Sequence, residues 1–257
     1  MVPNHGLIIH SILHADDDFS EAMKIVNTCG WDTDCNSGNV GCYMGIKLGL
    51  EGIDASLNKG VDWRGPVADR MYMPTADGSR GITDCVTEAL EISRLGKTLQ
   101  GESVTLPKNK AKFHFEFPGS SQGFTVDSSF SDTGCVLTNF SGNSSKGTRS
   151  LMITSEEGSV AVTTPVFITS KAIAEYYKEG YALIASPKIY PGQKLEGSIK
   201  ASEKNGSSVI ICLAYKYYDE NDKYAWEYGK KISVGPGESV DLELMVDDSI
   251  ISIQDMG

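Results

Sequence analysis

The sequence predicts a multidomain protein of α and β parts, an all-α helical N-terminal portion followed by an antiparallel β-sandwich or jelly roll. Two observations carry that expectation. Up to about Gly101 the apolar residues recur three and four apart, the period of a helix with one buried face. After GESVTLPKNK, residues 101–110, the chain turns into short alternating runs punctuated by Gly, Ser, Asn and Pro, the texture of antiparallel strands. The change of texture sets a domain boundary near Pro107, giving domains 1–107 and 108–257.

Leu7, Ile8 and Ile12 mark a first helix, Ala22, Ile25 and Val26 a second, and Val86, Leu90, Ile92 and Leu95 another near the end of the half. Between Val40 and Leu50 a further helix carries Gly41, Gly45 and Gly49 at four-residue intervals, a cost in propensity that suits close packing against that face. In the second half FHFEF, SLMIT, SVAVTT, YALIAS, KLEGSIKAS, SVIICLAYKYY, KYAWEY and SVDLELMV read as strands. The turn at residues 219–222, DEND, joins two aromatic strands into a hairpin. The helical part opens without an N-terminal cap and the final run IISIQDMG lacks a polar tail, so further elements are expected beyond both ends.

With 257 residues, 40% of them hydrophobic, the chain can build real cores. Its 34 acidic against 23 basic residues leave a formal charge of -11, which argues against nucleic acid and anionic membrane surfaces as partners. No apolar run reaches the length of a membrane span, and MVPNHGLIIHSILHADDD lacks the basic start of a signal peptide, so a cytoplasmic location is expected. The six cysteines are scattered without a C-x-x-C pair, which indicates free thiols in a reducing compartment.

The stretch CGWDTDCNSGNVG, residues 29–41, holds Asp32 and Asp34 two apart between two helices. Like charges this close ask for a cation or a proton between them. The D-x-D-x-N start resembles a calcium loop but fails it, because Ser37 stands at the glycine position and Tyr43 at the closing glutamate. Two uses stay open on spacing alone: ligation of a hard divalent cation, or an Asx cap on the second helix.

VPNHG at 2–6, VNTCG at 26–30 and WDTDCNSGNVGCYMGIKLGL at 31–50 together resemble the C-terminal signature of the ADP-ribosylglycohydrolase family, N-x-G-G-D-T-D-T-N-A-x-x-x-G. The match runs through Asn27, Gly30, Asp32, Thr33, Asp34, Asn36 and Gly41. The resemblance implies an all-α domain that holds two magnesium ions and cleaves the glycosidic bond between ADP-ribose and an acceptor. It implies Asp32 and Asp34 as metal ligands and catalytic carboxylates, with Asn27, Gly30 and Asn36 at the substrate. Cys35 stands where the family has a metal-ligating threonine, and a thiol is a poor partner for magnesium. The family's N-terminal half, with its T-D-D triplet, is absent from this sequence, and with it the second half of the metal ligands.

In the strand-rich half, SPKIYPGQKLEG at 186–197 resembles the jelly-roll modules attached to bacterial hydrolases. Tyr224, Trp226 and Tyr228 share one strand face, with Tyr215 and Tyr217 expected opposite them; such a stripe either stacks on sugar rings or forms an aromatic sandwich core. The alternative to a hydrolase is accordingly a non-catalytic glycan- or protein-binding module. GSSQG at 119–123 is a chance G-x-S-x-G, since every histidine precedes it. His10 and His14 lack the glutamate of H-E-x-x-H and read as a partly buried pair, and Asp16 to Asp18 read as the cap of the helix at Phe19, with a place at the border of a metal cleft as their alternative use.

Overall fold

The structure, a computed structural model, describes residues 1–73, 80–144, 146–156, 158–178, 180 and 185–247. It divides into two compact units, Met1–Ala68 and Asp69–Gly257. This division by packing lies ahead of the change in sequence texture at Pro107, and the helix expected around Val86 to Leu95 falls in the second unit.

The first unit is helical. Helices α1 (Val2–Leu13), α2 (Phe19–Thr28) and α3 (Thr33–Asp54) enclose a core of Ala15, Phe19, Ala22, Val26, Val40 and Met44, with Ile8, Met23, Leu48, Ile53 and Trp63 packed against it. Trp63 meets the Phe19 ring edge-on at 6.0 Å and donates its indole N–H to Ser20 Oγ at 3.0 Å. A Cβ at Gly41 would lie 3.5 Å from Met23 Sδ and one at Gly45 3.7 Å from Ile53 Cδ1, ordinary contacts with side chains, so the close packing expected at these glycines is not what requires them. Gly49 has a backbone reason: its φ of 67° and ψ of −175° break the helical path, a conformation that only glycine adopts without strain.

Two of the three consecutive aspartates between α1 and α2 divide the work. Asp18 caps α2 by accepting from Glu21 N–H at 2.9 Å, as expected, and pairs with Lys59, while Asp17 pairs with Lys47. The hydrogen bond from Lys59, aided by that from Glu21 N–H, holds the Asp18 carboxyl below its usual range. His10 and His14 meet at a tilt with ring centroids 4.5 Å apart and are both exposed rather than partly buried.

In the second unit a short antiparallel pair, β1 (Arg70–Tyr72) and β2 (Ile82–Asp84), precedes α4 (Cys85–Leu99). Neither strand is announced by the sequence, since each is three residues long and lacks an alternating run. Asp84 ends β2 and caps α4, accepting from Thr87 N–H at 2.9 Å and Thr87 Oγ1 at 2.7 Å.

Beyond α4 the described strands form antiparallel pairs. β3 (Thr125–Val126) pairs with β6 (Val162–Thr163), enclosing the hairpin β4 (Cys135–Ser141) and β5 (Arg149–Ser155). After α5 (Ser170–Lys178), which sequence texture did not announce, β7 (Lys194–Lys200) pairs with β12 (Ser239–Met245). Inside that pair β8 (Val209–Ile211) joins β11 (Ile232–Val234), and inside that again β9 (Ala214–Tyr218) joins β10 (Tyr224–Tyr228) across the expected turn at 219–222. Nested pairing of this kind is a hairpin folded along its length.

FHFEF, residues 113–117, is not a strand. The buried Gln122 side chain takes the N–H groups of His114 and Phe115 at 2.9 and 2.7 Å, the donors a ladder would need, and Phe115 has a φ of 57°. Of YALIAS, residues 181–184 lie outside the described residues, as does the final run from 250. No helix among the described residues is long and apolar enough to cross a membrane.

Two outcomes follow from this packing. Met44 is fully buried, so Met44→Ala is expected to cost about 2–5 kcal/mol in denaturant unfolding followed through Trp63. Burial raises the Glu116 carboxyl, but hydrogen bonds from Thr148, Arg149 and Lys108 outweigh it and hold its pKa at about 2. A depressed carboxyl stabilises the fold above its unfolded value of 4.5 and loses that contribution as pH falls toward about 2. The stability difference between the native chain and Glu116→Gln is therefore expected to shrink across that window in acid denaturation.

Candidate functional site

The turn between α2 and α3 is built by backbone requirements. Cys29 closes α2 in the right-handed region, and Gly30 follows with a φ of 67°, the left-handed position that commonly ends a helix. Asp32, at the N-cap of α3, is also left-handed with a φ of 46° and ψ of 50°. Its carbonyl accepts the Asn36 N–H at 3.0 Å and opens the helix, but its carboxylate makes no capping hydrogen bond. The capping use left open by the sequence is therefore not taken by this side chain.

The carboxylate is held instead by α1. Asn4 Nδ2 donates to Asp32 Oδ2, and Asn4 Oδ1 accepts the Trp31 indole N–H at 2.7 Å. Asn4 and Trp31 were not singled out from the sequence, although Asn4 lies in the VPNHG segment that carries the resemblance.

Asp32, Asp34 and Cys35 come together. One ligand atom from each lies within 4.8 Å of the others, all three residues are exposed, and among the described residues no other three His, Cys, Asp or Glu side chains converge this way. The hydrogen bond to Asp32, with the charges of Asp32 and Asp34, raises the Cys35 thiol above its ordinary pKa. Both aspartates sit at the N-terminal end of a long helix, where the aligned peptide dipoles favour negative charge.

The residues expected at the substrate occupy the scaffold of this turn. Asn27 donates Nδ2 to Met23 O at 2.7 Å and accepts from Ser37 Oγ at 3.0 Å, joining the end of α2 to the start of α3. Asn36 is fully buried and donates Nδ2 to Trp31 O at 2.9 Å, while its Oδ1 has no hydrogen-bond partner among the described residues.

The aromatic stripe of the second unit differs in register from its expected form. Tyr224 lies opposite Tyr218, Trp226 opposite Lys216 and Tyr228 opposite Ala214, so Tyr215 and Tyr217 point to the other face. Phe167, Tyr218 and Tyr224 pack together at 4.9 to 6.3 Å, Phe130 meets Trp226 edge-on at 4.9 Å, and Lys216 Nζ sits 4.0 Å from the Tyr224 ring centre. Tyr224 and Tyr228 remain exposed rather than core, and Trp226 is half-buried.

Residues 1–90 match the family model for ADP-ribosylglycohydrolase. No curated protein and no solved structure matches the chain.

Removal of the buried amide at Asn36 leaves the Trp31 carbonyl without its donor, and Asn36→Ala is expected to cost about 1–3 kcal/mol in denaturant unfolding.

Proposed function

We propose that the first unit forms part of the active site of a hydrolase that cleaves an ADP-ribosyl or related N- or O-glycosidic bond, with Asp32 and Asp34 as cation ligands and catalytic carboxylates. The observation that carries this reading is the carboxylate of Asp32. It occupies a helix N-cap without capping, and converges with Asp34 and Cys35 inside the segment matched by the family model.

A bound divalent cation would polarise an oxygen of the substrate and anchor ribose hydroxyls. The two carboxylates suit the magnesium that the family resemblance implies, because magnesium takes hard oxygen donors; the Cys35 thiol does not suit it. No step is therefore assigned to magnesium. The chain's own residues supply negative oxygen at one exposed point, which favours positive charge developing at an anomeric carbon in an oxocarbenium-like transition state. Asn4 fixes the rotamer of Asp32, so the charge is placed before substrate arrives. Asn27, Gly30 and Asn36 serve the substrate by holding the turn that presents these oxygens. Trp31, exposed beside them, offers a flat face to a nucleotide base.

The nested pairs from β7 to β12 support reading the strand-rich part, 108–257, as a jelly-roll accessory module. The six free cysteines support a reducing, cytoplasmic setting.

Calorimetric titration of the chain with divalent cations and then ADP-ribose, alongside an assay of ADP-ribose release from an ADP-ribosylated acceptor, tests the reading. Cation affinity is expected to fall at least about 10–100-fold in Asp32→Asn and in Asp34→Asn, and release to fall with it. Unchanged cation binding in both variants would sink the proposal.

A further inference from the structure

Cys35 is where the donor set and the family's magnesium part company. Its sulfur is one of the three exposed ligand atoms within 4.8 Å of one another at the start of α3. A threonine hydroxyl there would complete an all-oxygen set, which magnesium and calcium prefer. A thiol in the same place contributes a soft, polarizable donor that binds magnesium weakly and zinc or cobalt strongly.

We infer that Asp32, Asp34 and Cys35 form a thiolate-bearing site that selects a divalent cation of the zinc and cobalt class over magnesium. The inference rests on reading Asp32 and Asp34 as cation ligands, and adds the identity of the ion. Donor atoms around one tetrahedral zinc lie about 3.5 Å apart, from zinc–sulfur and zinc–oxygen distances of about 2.3 and 2.1 Å. Atoms already within 4.8 Å of one another reach that spacing by small rotations of Asp34 and Cys35 toward the Asp32 carboxylate that Asn4 holds. The three residues are consecutive or nearly so on a fixed helix start, so their Cα positions change little as they close.

Three protein donors leave a fourth tetrahedral position, the arrangement of a catalytic rather than a structural zinc. On binding, the sulfur–hydrogen bond breaks, the proton passes to solvent and the sulfur lone pair forms the metal–sulfur bond; no electron is transferred. Substrate oxygens or water would take the open position, so the same two carboxylates serve the proposed hydrolase with a different ion.

Cobalt(II) titration of the whole chain, followed by optical spectroscopy, tests this. A near-ultraviolet sulfur-to-cobalt charge-transfer band is expected at one ion per chain, lost in both Cys35→Ser and Cys35→Thr. Because Cys35 is exposed, both variants should keep the native circular dichroism. Zinc should displace the cobalt and excess magnesium should not, and Cys35→Thr should weaken zinc at least about 10–100-fold. A band that survives Cys35→Ser would assign the sulfur to another cysteine and overturn the inference. So would cobalt bound without a sulfur band and displaced equally by magnesium; if that binding is lost in Asp32→Asn, the hydrolase reading stands while the zinc-class inference falls. No binding of any of the three cations overturns both.

Discussion

The backbone of Asp32 is the constraint on which the candidate site depends. Among the described residues three aspartates occupy α-helix N-cap positions, and two of them cap. Asp18, with φ −100° and ψ 118°, and Asp84, with φ −141° and ψ 158°, are extended, and from there the side chain folds back onto an N–H of the first turn. Asp32 has φ 46° and ψ 50° and makes no such bond. One residue type in one position thus serves two ends, and the sign of φ decides between them.

Holding a non-glycine residue left-handed costs on the order of 1 kcal/mol, less for Asp than for most residues. Buried groups around the turn offset it. Asn36 ties its amide to the Trp31 carbonyl from beneath, Ser37 ties to Asn27, and the packing of Val26 from α2 with Val40 and Met44 from α3 fixes the two helices that the turn must join. The carboxylate released from capping then meets Asn4 of α1, so all three helices of the unit determine where one oxygen lies. A loop without such support would leave that oxygen free to swing, and catalytic or ligating geometry tolerates little swing.

Much of this was legible in the sequence, and the failures share a cause. Helices α1, α2 and α4 followed from three- and four-residue spacing, although in α4 Ile92 and Leu95 of that spacing are exposed and the buried residues are Val86 and Glu88. The D-T-D run drew attention to the cluster at α3 because two carboxylates two apart need a reason. The non-capping of Asp32 was not legible, since sequence gives residue type and not φ. FHFEF alternates like a strand, yet Gln122, eight residues beyond His114, takes the backbone donors that a ladder requires. The aromatic hairpin was expected and found, but its pairing runs Tyr218 to Tyr224 rather than through Tyr217, and one residue of register moves Tyr215 and Tyr217 to the opposite face. In each case the local pattern is sound and something sequence does not carry decides the outcome: a dihedral at Asp32, side-chain hydrogen bonds at Gln122, a pairing register in the hairpin.

Charge separates the two acidic clusters of the first unit more clearly than position does. In the run Asp16 to Asp18 two carboxylates are answered by cations, Lys47 on Asp17 and Lys59 on Asp18, and the hydrogen bond that Lys47 donates to Asp17 raises the Lys47 ammonium in turn. Those two carboxylates already hold their cations, and one of them caps α2 as well. Asp32 is answered by the neutral amide of Asn4, which orients a carboxylate without cancelling its charge. An amide donor costs little to keep and does not compete with an incoming cation, whereas a lysine in the same place would have to be displaced first. The pairing of Asp32 with an amide, beside a second carboxylate and a thiol, therefore leaves its negative charge available at the surface, and this difference in partner is what supports proposing a cation at residues 32–35 rather than at 16–18.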